Sequence, residues 1–148
     1  MDCRKKQMIN LSIVIPVYNE EAVIKETYQR LMNIIEPLKV AYELIFVDDG
    51  STDKTYEILS HFAENNSSVK IVSLSRNFGH QAAITAGMDY SRGKAIITMD
   101  SDLQHPPELI PALLEKWNEG YEVVYTVREY GKDESFLRNL LQIFSIVL

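Results

Sequence analysis

Two carboxylates one residue apart are the feature of this sequence most able to carry chemistry. Asp100 and Asp102 directly follow a short apolar run, residues 95–99. Two hard oxygen ligands on one loop suit Mg²⁺ or Mn²⁺, which keep waters and bind substrate phosphates through one or two carboxylates. Solvated surface loops also contain Asp-Xaa-Asp, so the pattern alone leaves a metal site and an ordinary loop both open.

A second acidic pair, Asp48 and Asp49, follows another apolar run, residues 42–47. The alternative for this pair is a turn with a helix cap, and Asp53 is more simply a cap or turn residue. Ligands of parallel sheets bind beyond the carboxyl ends of the strands, so both acidic pairs are expected at one edge. Four carboxylates in one crevice repel each other unless a cation or a hydrogen-bond donor compensates them.

The hydrophobic pattern predicts the elements that would bring these loops together. Strand-like runs alternate with helical stretches, which favours right-handed βαβ units and an open, mostly parallel sheet. The first strand is predicted to end near Ile15, because Pro16 cannot donate to a ladder, and Asn19 is a candidate helix cap. The predicted strands are residues 11–15, 42–47, 69–74, 95–99 and 121–127, and the predicted helices are residues 23–37, 55–62, 81–90 and 106–117, with Trp117 in the core.

Composition excludes several classes of function. The 148 residues, 46% hydrophobic and 24% charged, suit one globular domain with a sizeable core. The net charge of −6 and the pI near 5.1 disfavour nucleic acid as a partner, since no basic stripe can replace its counterions. No signal peptide is expected, and no run approaches the roughly 20 apolar residues of a membrane span. The one cysteine, Cys3, fits a reducing compartment.

The last part of the sequence changes character. After a polar stretch at 129–134, apolar residues recur through 136–147 with Arg138 among them. One interpretation is an amphipathic helix lying on a membrane surface. The other is a core helix whose covering sequence is missing. An exposed apolar face of this kind could also drive association into a homo-oligomer.

Four segments together carry a resemblance to a known family. They are residues 16–20 (Pro-Val-Tyr-Asn-Glu), 47–53 (Val-Asp-Asp-Gly-Ser-Thr-Asp), 77–81 (Asn-Phe-Gly-His-Gln) and 99–106 (Met-Asp-Ser-Asp-Leu-Gln-His-Pro). They resemble family 2 glycosyltransferases of the GT-A fold, and more narrowly the branch with dolichol-phosphate mannosyltransferase and bacterial polyprenyl-phosphate sugar transferases. The resemblance runs from residue 11 to about 148. It implies a Rossmann-like α/β fold, with a mostly parallel sheet and helices on both faces.

The resemblance also implies the residues of a donor site. Asp100 and Asp102 would hold Mg²⁺ or Mn²⁺ against the donor pyrophosphate, and Arg128 would contact phosphate, a task that suits a guanidinium fork. The alternative for Arg128 is a surface ion pair. The residues implied to bind the nucleotide sugar are Pro16, Tyr18, Glu20, Val47, Asp49, Asp100, Ser101, Asp102, Gln104 and Arg128, of which Asp100, Asp102 and Arg128 are the catalytic candidates.

The function implied is inverting, metal-dependent transfer of a hexose-type sugar from a nucleotide-diphosphate sugar to undecaprenyl or dolichyl phosphate. Such an acceptor is already an anion, so it needs no strong general base. Arg138 falls near an arginine associated with the acceptor phosphate in this branch. We expect a polar leader at 1–10, a catalytic domain at 11–130, and a lid-like stretch with the start of an interfacial helix at 131–148. We therefore expect the chain to be a truncated catalytic domain, cytoplasmic or peripheral, of a protein at the cytoplasmic face of a membrane.

Other functions stay open at this point. The acceptor could be a glycan or another hydroxyl compound, or the chain could bind the donor without turnover. A phospho-accepting signalling domain would also place acids at this edge, but it would want a lysine on a later strand end, where Arg128 stands. His80 is more simply a residue at a helix start or behind the metal site. His105 could approach the metal, although carboxylates and pyrophosphate oxygens already suit a hard ion.

Overall fold

The computed structural model describes residues 9–102, 106–126 and 145–147, the last three as backbone only. The strands are β1 (Leu11–Val17), β2 (Tyr42–Asp48), β3 (Val69–Ser73), β4 (Ala95–Thr98), β5 (Val124–Tyr125) and β6 (Ser145–Val147). The helices are α1 (Ile24–Leu38), α2 (Thr55–Asn65), α3 (His80–Tyr90) and α4 (Ile110–Asn118), with a 3₁₀ turn at Pro107–Leu109 before α4.

The strands form one sheet in the order β3-β2-β1-β4-β6-β5. Strands β1 to β4 are mutually parallel, and β6 runs antiparallel to both β4 and β5. In the register of the central pair, Leu11 lies opposite Tyr42 and Val17 opposite Asp48. The predicted α/β fold with a mostly parallel sheet is therefore confirmed.

Helices cover both faces of the sheet, because β1 and β2 bury side chains on both faces. Ile13, Ile15 and Phe46 belong to the larger core cluster, against α1, α2 and α4. Val14 and Val47 lie on the other face, in a smaller cluster with Ala83, Ile45 and the helix α3. Trp117 packs against the larger cluster, as predicted.

Two predictions at the end of β1 were wrong. The strand does not stop near Ile15, since Pro16 and Val17 still pair with β2. The amide that proline lacks would face β4, and β4 ends at Thr98, opposite Val14, so no ladder bond is lost there. Asn19 is not a helix cap either. It has a left-handed backbone conformation with φ of 55°, and α1 begins only at Ile24.

The last two strands also differ from expectation. The fifth strand was predicted over residues 121–127, but the regular part is two residues long, Val124–Tyr125. A helix was predicted for the tail, but Ser145–Val147 is a strand inserted between β4 and β5. The rest of that tail, residues 127–144, lies outside the described residues.

Candidate functional site

A cavity of about 340 Å³ opens at the carboxyl ends of the parallel strands. It brings together seven residues that the sequence predicted for the donor site. The residues that line the cavity are Pro16, Val17, Tyr18, Glu20, Asp49, Asn77, Gly79, His80, Ala83, Asp100, Ser101 and Asp102. Four separate loops converge on one cavity because the sheet is parallel over β1 to β4, so that these strands all end at the same edge.

Four predicted site residues are not among those lining the cavity. The side chain of Val47 is completely buried in the cluster with Val14 and Ala83, so it supports the wall of the cavity from behind. Gln104, Arg128 and Arg138 lie outside the described residues, as does His105. Their roles therefore stay predictions.

The loop that carries Asp100 and Asp102 is fixed from beneath by helix α1. Ser101 between them is buried, and its carbonyl oxygen accepts a 2.7 Å hydrogen bond from the hydroxyl of Thr27. Thr27 is itself fully buried and lies 74 positions away in the sequence. Because Ser101 is held inward, the two flanking aspartates line the cavity on either side of it.

Negative charge is concentrated in this cavity. Burial raises the pKa of Glu20 above its ordinary value, and the neighbouring charges of Asp102 and Asp53 raise it further, while a hydrogen bond from Ser101 opposes the shift. A cation placed among these carboxylates would relieve their repulsion. His80 also lines the cavity, with Nε2 3.5 Å from Oδ1 of Asp100.

The donor set fits a hard divalent ion that shares its ligands with a substrate. Asp100 and Asp102 offer carboxylate oxygens from one loop, the ligand type that Mg²⁺ and Mn²⁺ prefer. In residues 9–102 and 106–126 no group of three or more His, Cys, Asp or Glu side chains is arranged to hold a metal ion. Mg²⁺ in proteins is commonly bound through one or two carboxylates together with waters and substrate phosphates.

The turn after β1 is held to the turn after β2 by hydrogen bonds. Oδ1 of Asn19 accepts the amide N–H of Thr52 at 2.8 Å, and the Asn19 amide donates to Oγ of Ser51 at 2.9 Å. The amide of Glu20 donates to Oγ1 of Thr55 at 2.8 Å. Left-handed backbone is tolerated by asparagine better than by most residues, which suits it to this turn. These hydrogen bonds position the turn whose residues Tyr18 and Glu20 line the cavity.

Asp53 takes part in the same set of hydrogen bonds between the two turns. Its Oδ1 accepts the amide of Thr55 at 2.9 Å and its Oδ2 accepts the amide of Glu21 at 3.1 Å. In return, Oε2 of Glu21 accepts the amide of Lys54 at 2.9 Å. The prediction that Asp53 is a cap or turn residue is thus confirmed.

The part of the cavity formed by the loop between β3 and α3 was less well predicted. Asn77, Gly79 and His80 line the cavity from this loop. The sequence singled out this segment only for its resemblance and placed His80 at a helix start, where it does lie. Thr27 gave no signal at all, because a threonine inside an amphipathic helix pattern looks like any other helix residue.

The sequence from residue 12 to residue 147 matches the family described as Glycosyl transferase family 2. The chain belongs to this family. The match includes all four loops that line the cavity. The expected membership is therefore confirmed.

Curated relatives agree with this assignment. An uncharacterized glycosyltransferase of Bacillus subtilis, YkcC, is 58% identical over 130 residues, 88% of this chain and 40% of the relative. An undecaprenyl-phosphate 4-deoxy-4-formamido-L-arabinose transferase of Pseudomonas paraeruginosa is 46% identical over 129 residues, 86% of this chain and 38% of the relative. The chain thus spans about 40% of the length of the curated relatives it matches.

Solved structures confirm the GT-A fold. A mannosyltransferase from Pyrobaculum calidifontis, in complex with GDP-Man and Mn²⁺, superposes with a TM-score of 0.69 at 22% identity, over 84% of this chain and 36% of that one. Residues 1–349 of TarS from S. aureus, in complex with UDP-GlcNAc, give a TM-score of 0.68 at 22% identity, over 86% and 36%. Among the described residues, no helix is both long and apolar enough to cross a membrane.

Proposed function

We propose that the chain forms the donor-binding part of a metal-dependent, inverting glycosyltransferase, which moves a sugar from a nucleotide-diphosphate sugar to a polyprenyl phosphate. One observation carries the proposal: Asp100 and Asp102 line the same cavity as Tyr18, Glu20 and Asp49, at the carboxyl edge of a parallel sheet. The Pseudomonas relative, an undecaprenyl-phosphate sugar transferase, supports the acceptor class, and the ligands of the two solved structures support the donor class.

We assign a role to several residues that line or support the cavity. Asp100 and Asp102 would hold Mg²⁺ or Mn²⁺, which when bound neutralises charge on the departing nucleoside diphosphate. Thr27, through the carbonyl of Ser101, keeps these two carboxylates in place before the donor arrives. Tyr18 is 44% exposed and offers an aromatic ring at the rim, where a nucleotide base can pack.

The proposed attack by the acceptor depends on the negative charge of its phosphate. A polyprenyl phosphate is already an anion at neutral pH, so its oxygen can attack the anomeric carbon without a strong general base. A single displacement of this kind inverts that carbon. Binding of the acceptor phosphate would fall to Arg138, while Arg128 would contact phosphate of the donor. A polyprenyl chain places the reaction at a membrane surface, for which we propose the cytoplasmic face.

Calorimetric titration of UDP and GDP into the purified chain, with and without Mn²⁺, tests the donor site. The parent should bind a nucleotide only with the metal, and the preferred base narrows the donor. Asp102→Ala should weaken that binding at least about tenfold, since it removes one of two proposed protein ligands. Asp89→Ala is the matched control, an exposed aspartate on α3 that does not line the cavity.

The outcomes are distinct. If neither nucleotide binds to the parent with Mn²⁺ present, the proposed donor site is wrong. If binding occurs but Asp102→Ala and Asp89→Ala behave alike, the nucleotide binds elsewhere or without this loop. Binding that is equally strong without metal would remove the metal from the proposal and leave only a nucleotide site.

A further inference from the structure

Helix α1 contacts the chain that follows β4 at two points. The first is the turn of residues 100–102, here called the aspartate turn, where the hydroxyl of Thr27 donates to the carbonyl oxygen of Ser101 at 2.7 Å. The second lies seven positions later, where Nη2 of Arg30 donates to both carboxylate oxygens of Glu108, at 3.0 and 3.1 Å. Residues three apart are neighbours on a helix surface, so both contacts come from one face of α1.

The second contact point belongs to a part of the chain that is packed on the core. Glu108 lies in the 3₁₀ turn Pro107–Leu109. Pro107 is buried there, and Ile110 at the start of α4 belongs to the larger core cluster. Helix α1 contacts both the 3₁₀ turn and α4. The ion pair with Arg30 thus joins α1 to an element that the core already holds.

The position of this ion pair matters more than its strength. The side chains of Arg30 and Glu108 are 35% and 51% exposed, and ion pairs in contact with solvent add little to the free energy of unfolding. Helix α1 also begins beside the cavity, because the amide of Ile24 donates to the carbonyl oxygen of Glu20 at 2.9 Å, and Glu20 lines the cavity. One helix therefore connects the turn after β1, the aspartate turn and the start of α4.

We propose that Arg30 is a positioning residue for the aspartate turn. Its ion pair with Glu108, together with the bond from Thr27 to Ser101, fixes this turn against α1, so that its two carboxylates keep the arrangement a divalent ion requires. This inference deepens the proposed donor site and rests on it. Because Mg²⁺ demands near-ideal coordination geometry, a loosened turn would weaken metal-dependent binding while the fold stays intact.

Backbone ¹⁵N relaxation, measured by NMR on the labelled chain without nucleotide or metal, tests the positioning directly. The order parameters of the amides of Ser101 and Asp102 should be about 0.85 in the parent, the value of rigid backbone. They should fall by at least about 0.1 in Arg30→Gln and in Glu108→Gln. The double variant should be no lower than either single variant, since each substitution removes the same ion pair.

Calorimetry with Mn²⁺ and UDP or GDP, whichever the parent binds, gives the second readout. Arg30→Gln and Glu108→Gln should each raise the Kd about three- to fivefold, the size of effect that a weak, solvent-exposed ion pair allows. The exchanged pair, Arg30→Glu combined with Glu108→Arg, should bring the Kd back to within about twofold of the parent, because the two charges again attract each other. A merely structural role predicts no such rescue of binding.

The ion pair of Lys116 with Glu119 provides the matched control. It is exposed like the pair under test, with Nζ 2.8 Å from Oε2, and neither residue lines the cavity. Lys116→Gln should leave the order parameters of the aspartate turn unchanged and the Kd within about 1.5-fold of the parent.

Two results overturn the inference. If Arg30→Gln and Lys116→Gln give the same order parameters and the same Kd, the pair of Arg30 with Glu108 is an ordinary surface contact. If the Kd rises in Arg30→Gln and the exchanged pair does not lower it, Arg30 acts through a contact other than Glu108. If the parent binds no nucleotide, the proposed function fails by itself, and the order parameters still decide whether the ion pair holds the turn.

Discussion

Glu43 shows at the scale of one residue how this chain tolerates a buried charge. It is 1% exposed, and its carboxylate accepts hydrogen bonds from the Ser12 hydroxyl at 2.5 Å and the Arg92 amide at 2.6 Å, beside an ion pair with Lys70. Burial acts to raise the pKa of Glu43, but the bonds from Lys70, Ser12 and Arg92 outweigh it, so the pKa lies below its ordinary value. The ionised form is thus the one that the fold stabilises.

The sign of the resulting pH dependence follows from that lowered pKa. A carboxylate with a lower pKa in the folded state contributes stability above its unfolded pKa, about 4.3, and loses it as the pH falls through the folded value. Glu43→Gln should cost about 1–3 kcal/mol in the free energy of unfolding at pH 7, because bonds to a charged acceptor are lost. The cost should shrink below about pH 4. Urea unfolding from pH 7 to pH 3 measures both.

An exposed carboxylate provides the comparison for Glu43. Glu64 lies exposed on α2, so Glu64→Gln should change the free energy of unfolding by no more than about 0.5 kcal/mol. If Glu43→Gln costs as little as Glu64→Gln at pH 7, or if its cost grows as the pH falls, the stabilising role of the buried carboxylate is wrong.

At the scale of elements, helix α3 packs tightly against the sheet at Gly87. A Cβ added there would lie 2.3 Å from Cγ1 of Val14 and 2.9 Å from Cγ2 of Val47. Alanine favours a helix over glycine by about 1 kcal/mol, but overpacking a core costs about 1–3 kcal/mol. Because two branched side chains would have to move, we expect Gly87→Ala to lower the free energy of unfolding by about 1 kcal/mol net.

Urea unfolding measures this balance. Ala82→Gly, at an exposed position of the same helix, calibrates the helix propensity term alone and should cost about 1 kcal/mol. A Gly87→Ala variant more stable than the parent would show that α3 can move away from the sheet freely, and the close packing would then have no energetic weight.

Local patterns predicted the parallel strands and the helices α1 to α4 of the described residues to within a few residues, since these elements bury apolar side chains. The errors lie where a distant contact decides the outcome. Pro16 stays in β1 because β4 happens to end early, and Asn19 turns back to Thr52 instead of capping α1. The strand at Ser145–Val147 depends on pairing with β4, about fifty positions earlier, which no local pattern shows.

The residues of the candidate site also divide into those that a local sequence pattern indicated and those that depend on distant contacts. Asp100, Asp102 and Asp49 were found because acidic residues after parallel strands must meet at one edge of the sheet. The hydrogen bonds that Thr27 donates to Ser101 and that Asp49 accepts from the amides of Phe78 and Gly79 were missed, since both involve backbone groups far away in the sequence. The sequence thus locates the chemistry, and the structure adds the contacts that hold it still.

At the scale of the molecule, the two opposite ends of the parallel strands carry different groups of charged residues. The network around Glu43 lies near the start of β2, and Asp49 follows the end of the same strand. Six residues of strand separate these two ends by about 20 Å. The end with Glu43 has its charges satisfied by neighbours, whereas the other end gathers carboxylates around an open cavity.

Such a separation predicts that stability and binding can be changed independently. Substitutions more than about 7–10 Å apart that share no partner usually add to within about 0.5 kcal/mol. In the double variant of Glu43→Gln and Asp102→Ala, the change in the free energy of unfolding should therefore equal the sum of the single changes, as urea unfolding without nucleotide will show. Glu43→Gln should also leave the Kd of the Mn²⁺-dependent nucleotide within about twofold of the parent. A coupling above about 1 kcal/mol, or a large loss of binding in Glu43→Gln, would mean that β2 transmits strain from one end of the sheet to the other.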